Sequence, residues 1–186
     1  APGLSVGASI TKKRLKGGLC DNVDVIEINS GSFRCIILPT RGMGIWKAWA
    51  GDDELGWQSP VNGPVHPALV PIWEPSGIGW LNGFDEFFVR CGMESNGAPE
   101  FNDDGTLKYP LHGKVANIPA NYVEVSVTEE TGEICVTGIV DESRLFANKM
   151  RLKTSISFFP NEKAVTVRDE FINISDGPSQ LAMLYH

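Results

Sequence analysis

The feature that most constrains this chain is a period-two alternation of apolar and polar residues that returns repeatedly in its second half. Tyr122-Val123-Glu124-Val125-Ser126-Val127-Thr128 alternates without a break, and Ile134 to Val140 does so again after a Glu130-Thr131-Gly132-Glu133 turn. Arg151 to Phe158 and Ala164 to Ile174 are longer runs on either side of Pro160-Asn161-Glu162-Lys163. Successive side chains of an extended strand point to opposite faces, so this pattern buries one face and wets the other. Nearer the N-terminus, Val23 to Asn29 keeps the same rhythm, and Phe33 to Leu38 is a short apolar run of the buried type. The Ser179–His186 segment reads as a further strand, and no stretch holds a helical period. Regular strands with short turns pair antiparallel, and an apolar sheet face needs a second sheet to cover it. The expected fold is an all-β antiparallel sandwich.

At 186 residues with 42% hydrophobic content, the chain can bury a sizeable core, and it is read as a single domain over residues 1–186. Its formal charge of −7 and pI near 5.0 argue against nucleic acid or an anionic membrane as partner, since both require a basic surface. The one basic cluster, Lys12-Lys13-Arg14 with Lys16, is short and suits a solvated face. No apolar run approaches the roughly 20 residues needed to cross a bilayer as a helix. Cys20, Cys35, Cys91 and Cys135 form no CxxC pair, which suggests neither a zinc site nor a redox dithiol. Small core thiols and a reducing, cytoplasmic setting fit that usage.

Function is expected in the loop-rich stretch of about 51–121, because rigid sheets commonly present chemistry on their connections. Gly77 to Ala120 is dense in Gly, Pro, Asn and Asp yet carries Trp80, Phe84, Phe87, Phe88 and Phe101. Flat aromatic faces beside Arg90, Glu94, Asn96 and a histidine would suit a sugar, although the packing of long loops explains the same aromatics without a ligand. Two of the three histidines end short apolar runs, at Leu111-His112-Gly113 and at Leu184-Tyr185-His186. Two imidazoles aimed at one cleft can divide donor, acceptor and orienting roles. His66, between Val65 and Pro67, reads as a loop residue. Asp85-Glu86 are adjacent on an extended segment and so point apart, unlike the converging pair of a glycosidase. Neither HxH nor HExxH spacing is present, so no metal or other cofactor is expected. Gly17-Gly18 and Arg41-Gly42-Met43-Gly44 lack a nucleotide-binding context and read as turns.

Several short pieces run in order along most of the chain. They are Pro39-Thr40-Arg41-Gly42-Met43-Gly44-Ile45, Leu55-Gly56-Trp57-Gln58-Ser59-Pro60, Gly79-Trp80, Phe88-Val89-Arg90-Cys91-Gly92, Leu111-His112-Gly113, Pro119-Ala120 and Leu184-Tyr185-His186. As an ordered set they resemble the galactose mutarotase-like (aldose 1-epimerase) superfamily, and more closely its bacterial branch with an RGM motif near the N-terminus. The resemblance implies a supersandwich fold and a carbohydrate ligand, with isomerisation at the anomeric centre of a sugar. The alternative is a non-catalytic carbohydrate-binding module on the same fold. By position, His112 and His186 correspond to the two family histidines, and Arg90 is the counterpart of a substrate-binding arginine, with different flanking residues. Trp80, Glu94 and Asn96 complete the expected sugar contacts. The family's general base is a Glu on a strand after the second histidine. The 186 residues are therefore read as the N-terminal portion of a longer sandwich whose base lies beyond His186.

Overall fold

The computed structural model describes residues 3–186. Five strands, β1 (Ser9–Arg14), β2 (Asp24–Asn29), β3 (Phe33–Leu38), β4 (Gly44–Ala50) and β5 (Asp53–Leu55), form one antiparallel sheet in chain order. A second antiparallel sheet contains β9 (Tyr122–Val127), β10 (Ile134–Ser143), β11 (Lys149–Phe158) and β12 (Thr166–Asn173), in the order β12-β11-β10-β9. Between them in sequence lie β6 (Arg90–Met93) and a small hairpin of β7 (Glu100–Phe101) and β8 (Leu107–Tyr109). The last strand, β13 (Ala182–Tyr185), returns to pair antiparallel with β6. Helical structure among the described residues is confined to short 3-10 turns, the longest being Gly79–Gly83. None is a helix long and apolar enough to cross a membrane.

The alternation fixes which face is covered. Along β10 and β11, Ile134, Val136, Val140, Leu152, Ile156 and Phe158 are buried at every second position. They meet Ile26, Ile28, Phe33, Cys35 and Ile37 of the first sheet in one hydrophobic cluster, with the Phe33 and Phe158 rings 6.3 Å apart. This is sandwich packing, in which the two inner faces supply the core. The expected strands recur as β2, β3 and β9 to β13, with ends shifted by a few residues. Strands β1 and β4 to β8 were not anticipated. β1 is an edge strand with Ile10 as its one apolar residue, too few to reveal a rhythm; Lys13 and Arg14 pair there with Glu27 and Asp24. β4 blurs its own pattern because the β3–β4 register shifts between Ile36 and Ile37.

The Arg41-Gly42-Met43 turn has a physical explanation. Gly42 and Met43 both hold positive φ, 55° and 59°. A Cβ on Gly42 would lie 2.3 Å from the carbonyl oxygen of Val115, so only glycine fits. Met43 fills the space over Gly138 of β10, where a Cβ would sit 2.5 Å from its sulfur. Arg41 is buried and ion-paired with Glu86. It donates to the carbonyls of Val65 and Gly83 and to Asn117 Oδ1, at 2.9 to 3.0 Å. One guanidinium thereby ties three separate connections to the sandwich. Asp85 is engaged as well, accepting from Trp46 Nε1 at 2.7 Å, so the adjacent carboxylates go to different partners.

Candidate functional site

β6 is the spine of the site, and strand parity decides what faces it. Val89 and Cys91 share one side and cluster with Trp80 and Ala116, whereas Arg90 points the other way. β13 pairs with β6 so that Tyr185 lies opposite Arg90. One residue further, the amides and carbonyls of Val89 and His186 exchange hydrogen bonds of 2.9 and 3.0 Å. His186 therefore falls on the Cys91 side. From the other flank comes the Pro110–Gly113 turn, joined to β6 through a bridge between Gly92 and Gly113. A Cβ on Gly92 would lie 1.9 Å from the carbonyl oxygen of Ala182, and one on Gly113 would lie 2.3 Å from that of Ser95. Two glycines are what allow three backbones to approach this closely.

His112 sits in that turn at φ 57°, with its amide donating to Gly97 O at 2.9 Å and its carbonyl accepting from Gly92 N at 2.8 Å. Positive φ is uncommon for a residue with a Cβ and is stored where surrounding contacts over-determine it. The outcome is that His112 Nε2 and His186 Nε2 face each other at 3.3 Å, although 74 positions separate the residues. Trp80 stands edge-on to His112, with centroids 4.8 Å apart, and lies 6.0 Å from His186. Phe84 is 5.7 Å from His186, and Trp57 continues the aromatic row 4.9 Å from Phe84.

Burial, and then the facing imidazole of His186, holds His112 below its ordinary pKa, so its ring is neutral at pH 7. Its Nδ1 is buried without a protein partner. Cys91, next to both rings, is pushed up to about 12 by burial and by the nearby Glu86 charge, which leaves its thiol protonated. The two Nε2 atoms can share one proton in a hydrogen bond. An oxygen placed about 2.8 Å from each nitrogen would be within reach of both.

The structure thus brings His112 and His186 together and sorts the other expected contacts differently. Arg90 is displaced from the expected sugar-facing position. It projects between the sheets with a side chain that is 0% exposed, forming a two-pronged pair with Asp169 at 2.6 and 2.9 Å. Its remaining N–H groups reach Thr154 Oγ1, Met43 O and Gly42 O, so all five donors are used within the protein. The parity of β6 is the cause, since the neighbour of a site-facing residue faces away. Trp80 is 2% exposed, so it supports the histidines from beneath and offers no open face for stacking. Phe84, half-buried beside it, and exposed Trp57 lie nearer the surface.

Glu94 pairs with Lys114 at 3.1 Å, and Lys114 reaches Glu142 at 2.9 Å. They line a separate cleft of about 570 Å³, together with Trp73, Tyr109 and Arg144, and its lining includes neither histidine. Asn96 is adjacent to the Gly97 carbonyl that anchors His112, and its Oδ1 is buried without a partner. His66 is a loop residue, its Nδ1 accepting from the Ala68 amide at 3.2 Å. Sequence reasoning missed Cys91 as part of the constellation. No spacing in the sequence links it to either histidine, and only the pairing of β13 with β6 brings the three together.

Comparison with known proteins follows the same lines. The family described as a domain of unknown function, DUF4432, matches residues 21–186. No curated protein sequence matches the chain. Among solved structures, the chain is similar to a candidate aldose 1-epimerase from Klebsiella pneumoniae subsp. pneumoniae MGH 78578, at 34% identity and a TM-score of 0.89. The match covers 95% of this chain and 46% of that one, so the chain spans about half the length of the protein it resembles. At this identity the likeness bears out the all-β antiparallel sandwich of the galactose mutarotase-like type.

Proposed function

We propose, for a chain that belongs to the DUF4432 family, that the paired histidines act at the anomeric centre of a sugar as part of an aldose 1-epimerase-like isomerase. The observation that carries this reading is the 3.3 Å approach of two imidazoles from opposite flanks of β6. An aromatic row beside them suits the apolar face of a pyranose. The likeness to a candidate aldose 1-epimerase supports the same direction.

In this reading the ring oxygen of the sugar lies against the two Nε2 atoms. His186 donates a proton to it as the C1–O bond breaks, while a base removes the proton of the anomeric hydroxyl and C1 becomes an aldehyde. Rotation about one bond and reclosure on the other face return both protons. Neutral His112 accepts or donates to the same oxygen and holds the open form. A positioned acid or base of this kind contributes typically about 100- to 10,000-fold. The cluster of Cys91, His112 and His186 includes no carboxylate, so the base comes from outside that cluster. Pairing of Arg90 with Asp169 gives it a positioning role, holding β6 against β12. Four free thiols suit a reducing, cytoplasmic compartment.

The test is exchange spectroscopy by NMR on a panel of aldoses equilibrated in the presence of the protein. Cross-peaks between α and β anomers above the uncatalysed rate are expected for at least one sugar. Line broadening by a sugar without accelerated exchange would instead identify a non-catalytic carbohydrate-binding module.

A further inference from the structure

Cys91 is a buried group for which the sugar chemistry has no use, yet it lies against both histidines. Its Sγ and one ring nitrogen from each of His112 and His186 all lie within 4.8 Å of one another. The three donors come from three backbone segments: β6 itself, the turn held by the Gly92–Gly113 bridge, and the residue clamped to Val89. Their convergence is a product of the fold, because positions 91, 112 and 186 share no local spacing.

One thiol and two imidazoles form a donor set for a borderline-soft cation such as zinc. Hard cations such as calcium and magnesium take oxygen ligands instead. The geometry agrees. Two Zn–N bonds of about 2.0 Å at the tetrahedral angle place their nitrogens roughly 3.3 Å apart, and the two Nε2 atoms are 3.3 Å apart. Both rings are already oriented, His112 by its strained turn and the edge of Trp80, His186 by the backbone clamp. The thiol forms the buried floor while His186 is exposed, so an ion has a way in.

We propose that Cys91, His112 and His186 bind one zinc ion through a thiolate and two imidazole nitrogens, with the fourth tetrahedral position left open. The S–Zn bond forms as the Cys91 S–H bond breaks and its proton passes to solvent. The proton shared by the facing Nε2 atoms moves to a ring Nδ1, so each imidazole stays neutral and presents its Nε2 lone pair. One proton is released per ion, and binding strengthens as pH rises. The same two Nε2 atoms face the sugar's ring oxygen in the proposed function, one of them as the N–H donor. Metal and sugar therefore exclude each other, and zinc acts as an inhibitor of the histidine pair. The zinc site uses the same residues as that reading but does not depend on its being correct.

Titration of the tag-free protein with Co²⁺, followed by optical spectroscopy, tests the site without any sugar. The expected result is saturation at one Co²⁺ per chain, with intense tetrahedral d–d bands and a thiolate-to-cobalt charge-transfer band that zinc abolishes. Cys91→Ser should lose the charge-transfer band, and His112→Asn should weaken the d–d bands. Because a change at Cys91 could disturb folding, X-ray absorption on the zinc-loaded wild type provides an independent measurement. It should show one sulfur at about 2.3 Å and two imidazole nitrogens at about 2.0–2.1 Å. A shell of nitrogen and oxygen alone, or no stoichiometric uptake, overturns the proposal. Anomer exchange followed with and without zinc separates the two readings. Metal uptake without any exchange sinks the isomerase and leaves the zinc site standing, whereas exchange that zinc does not slow overturns the claim of exclusion.

Discussion

At the scale of single residues, Arg90 shows how far burial outranks chemical type. A guanidinium is a good sugar or carboxylate ligand, yet here all five N–H groups are satisfied inside the protein and Asp169 neutralises the charge. Removing one partner of such a buried pair leaves the other charge stranded. Arg90→Met should therefore lower unfolding free energy by about 3–5 kcal/mol in urea titrations, and Arg90→Met/Asp169→Leu should recover most of that loss. An Arg90→Met protein of full stability but weakened sugar binding would restore the direct contact. His112 makes a second prediction. Its folded pKa lies below the ordinary value of 6.5, through burial and the facing His186. The unfolded chain thus takes up the proton first. The contribution of neutral His112 to stability is complete above about pH 6.5 and is lost as pH falls through the lower folded value. An NMR titration should find more than half of the rings neutral at pH 6.5, and a midpoint at or above that pH would contradict the burial argument. The two histidines could be picked out from sequence by their apolar flanks. The place of Cys91 beside them could not, because no spacing rule links it to either, and the inward face of Arg90 was not legible because side-chain type says nothing about which face of a strand it occupies.

At the scale of elements, the site depends on three backbones meeting at β6. Gly92 and Gly113 are the points of contact, where an added Cβ would fall 1.9 Å from Ala182 O and 2.3 Å from Ser95 O. Gly92→Ala should push β13 off β6, and Gly113→Ala should push the His112 turn away. Each should cost more than about 1 kcal/mol, since both glycines also hold positive φ. Gly105 is a control, with φ 79° but nothing within 4 Å. Gly105→Asn should barely move the melting temperature, because asparagine tolerates that conformation. Equal melting temperatures for all three variants would mean that the close approach is not structural. Strands with clean alternation, β9 to β12, were legible because their burial follows period two. β6 was not, since it is buried on both faces, with Arg90 and Cys91 both inside, and its four residues carry no rhythm.

At the scale of the molecule, two sheets supply a rigid frame, and the connections between β5 and β9 carry the aromatic row and one histidine of the facing pair, His112. The other histidine follows β13, and nothing in local sequence announces that β13 returns to β6 rather than to β12. That pairing is a property of topology, which is why sequence pointed to the fold class and to both histidines but could not bring them into contact. The central claim is that His112 and His186 form one working unit. The direct measurement is the anomer-exchange rate of His112→Ala, His186→Ala and the double variant, each checked for an unchanged melt. Groups that act as a unit are non-additive, so each single variant should lose nearly as much as the double. If the two losses simply multiply, or if either single variant keeps the wild-type rate, the histidines do not share a reaction and the claim fails.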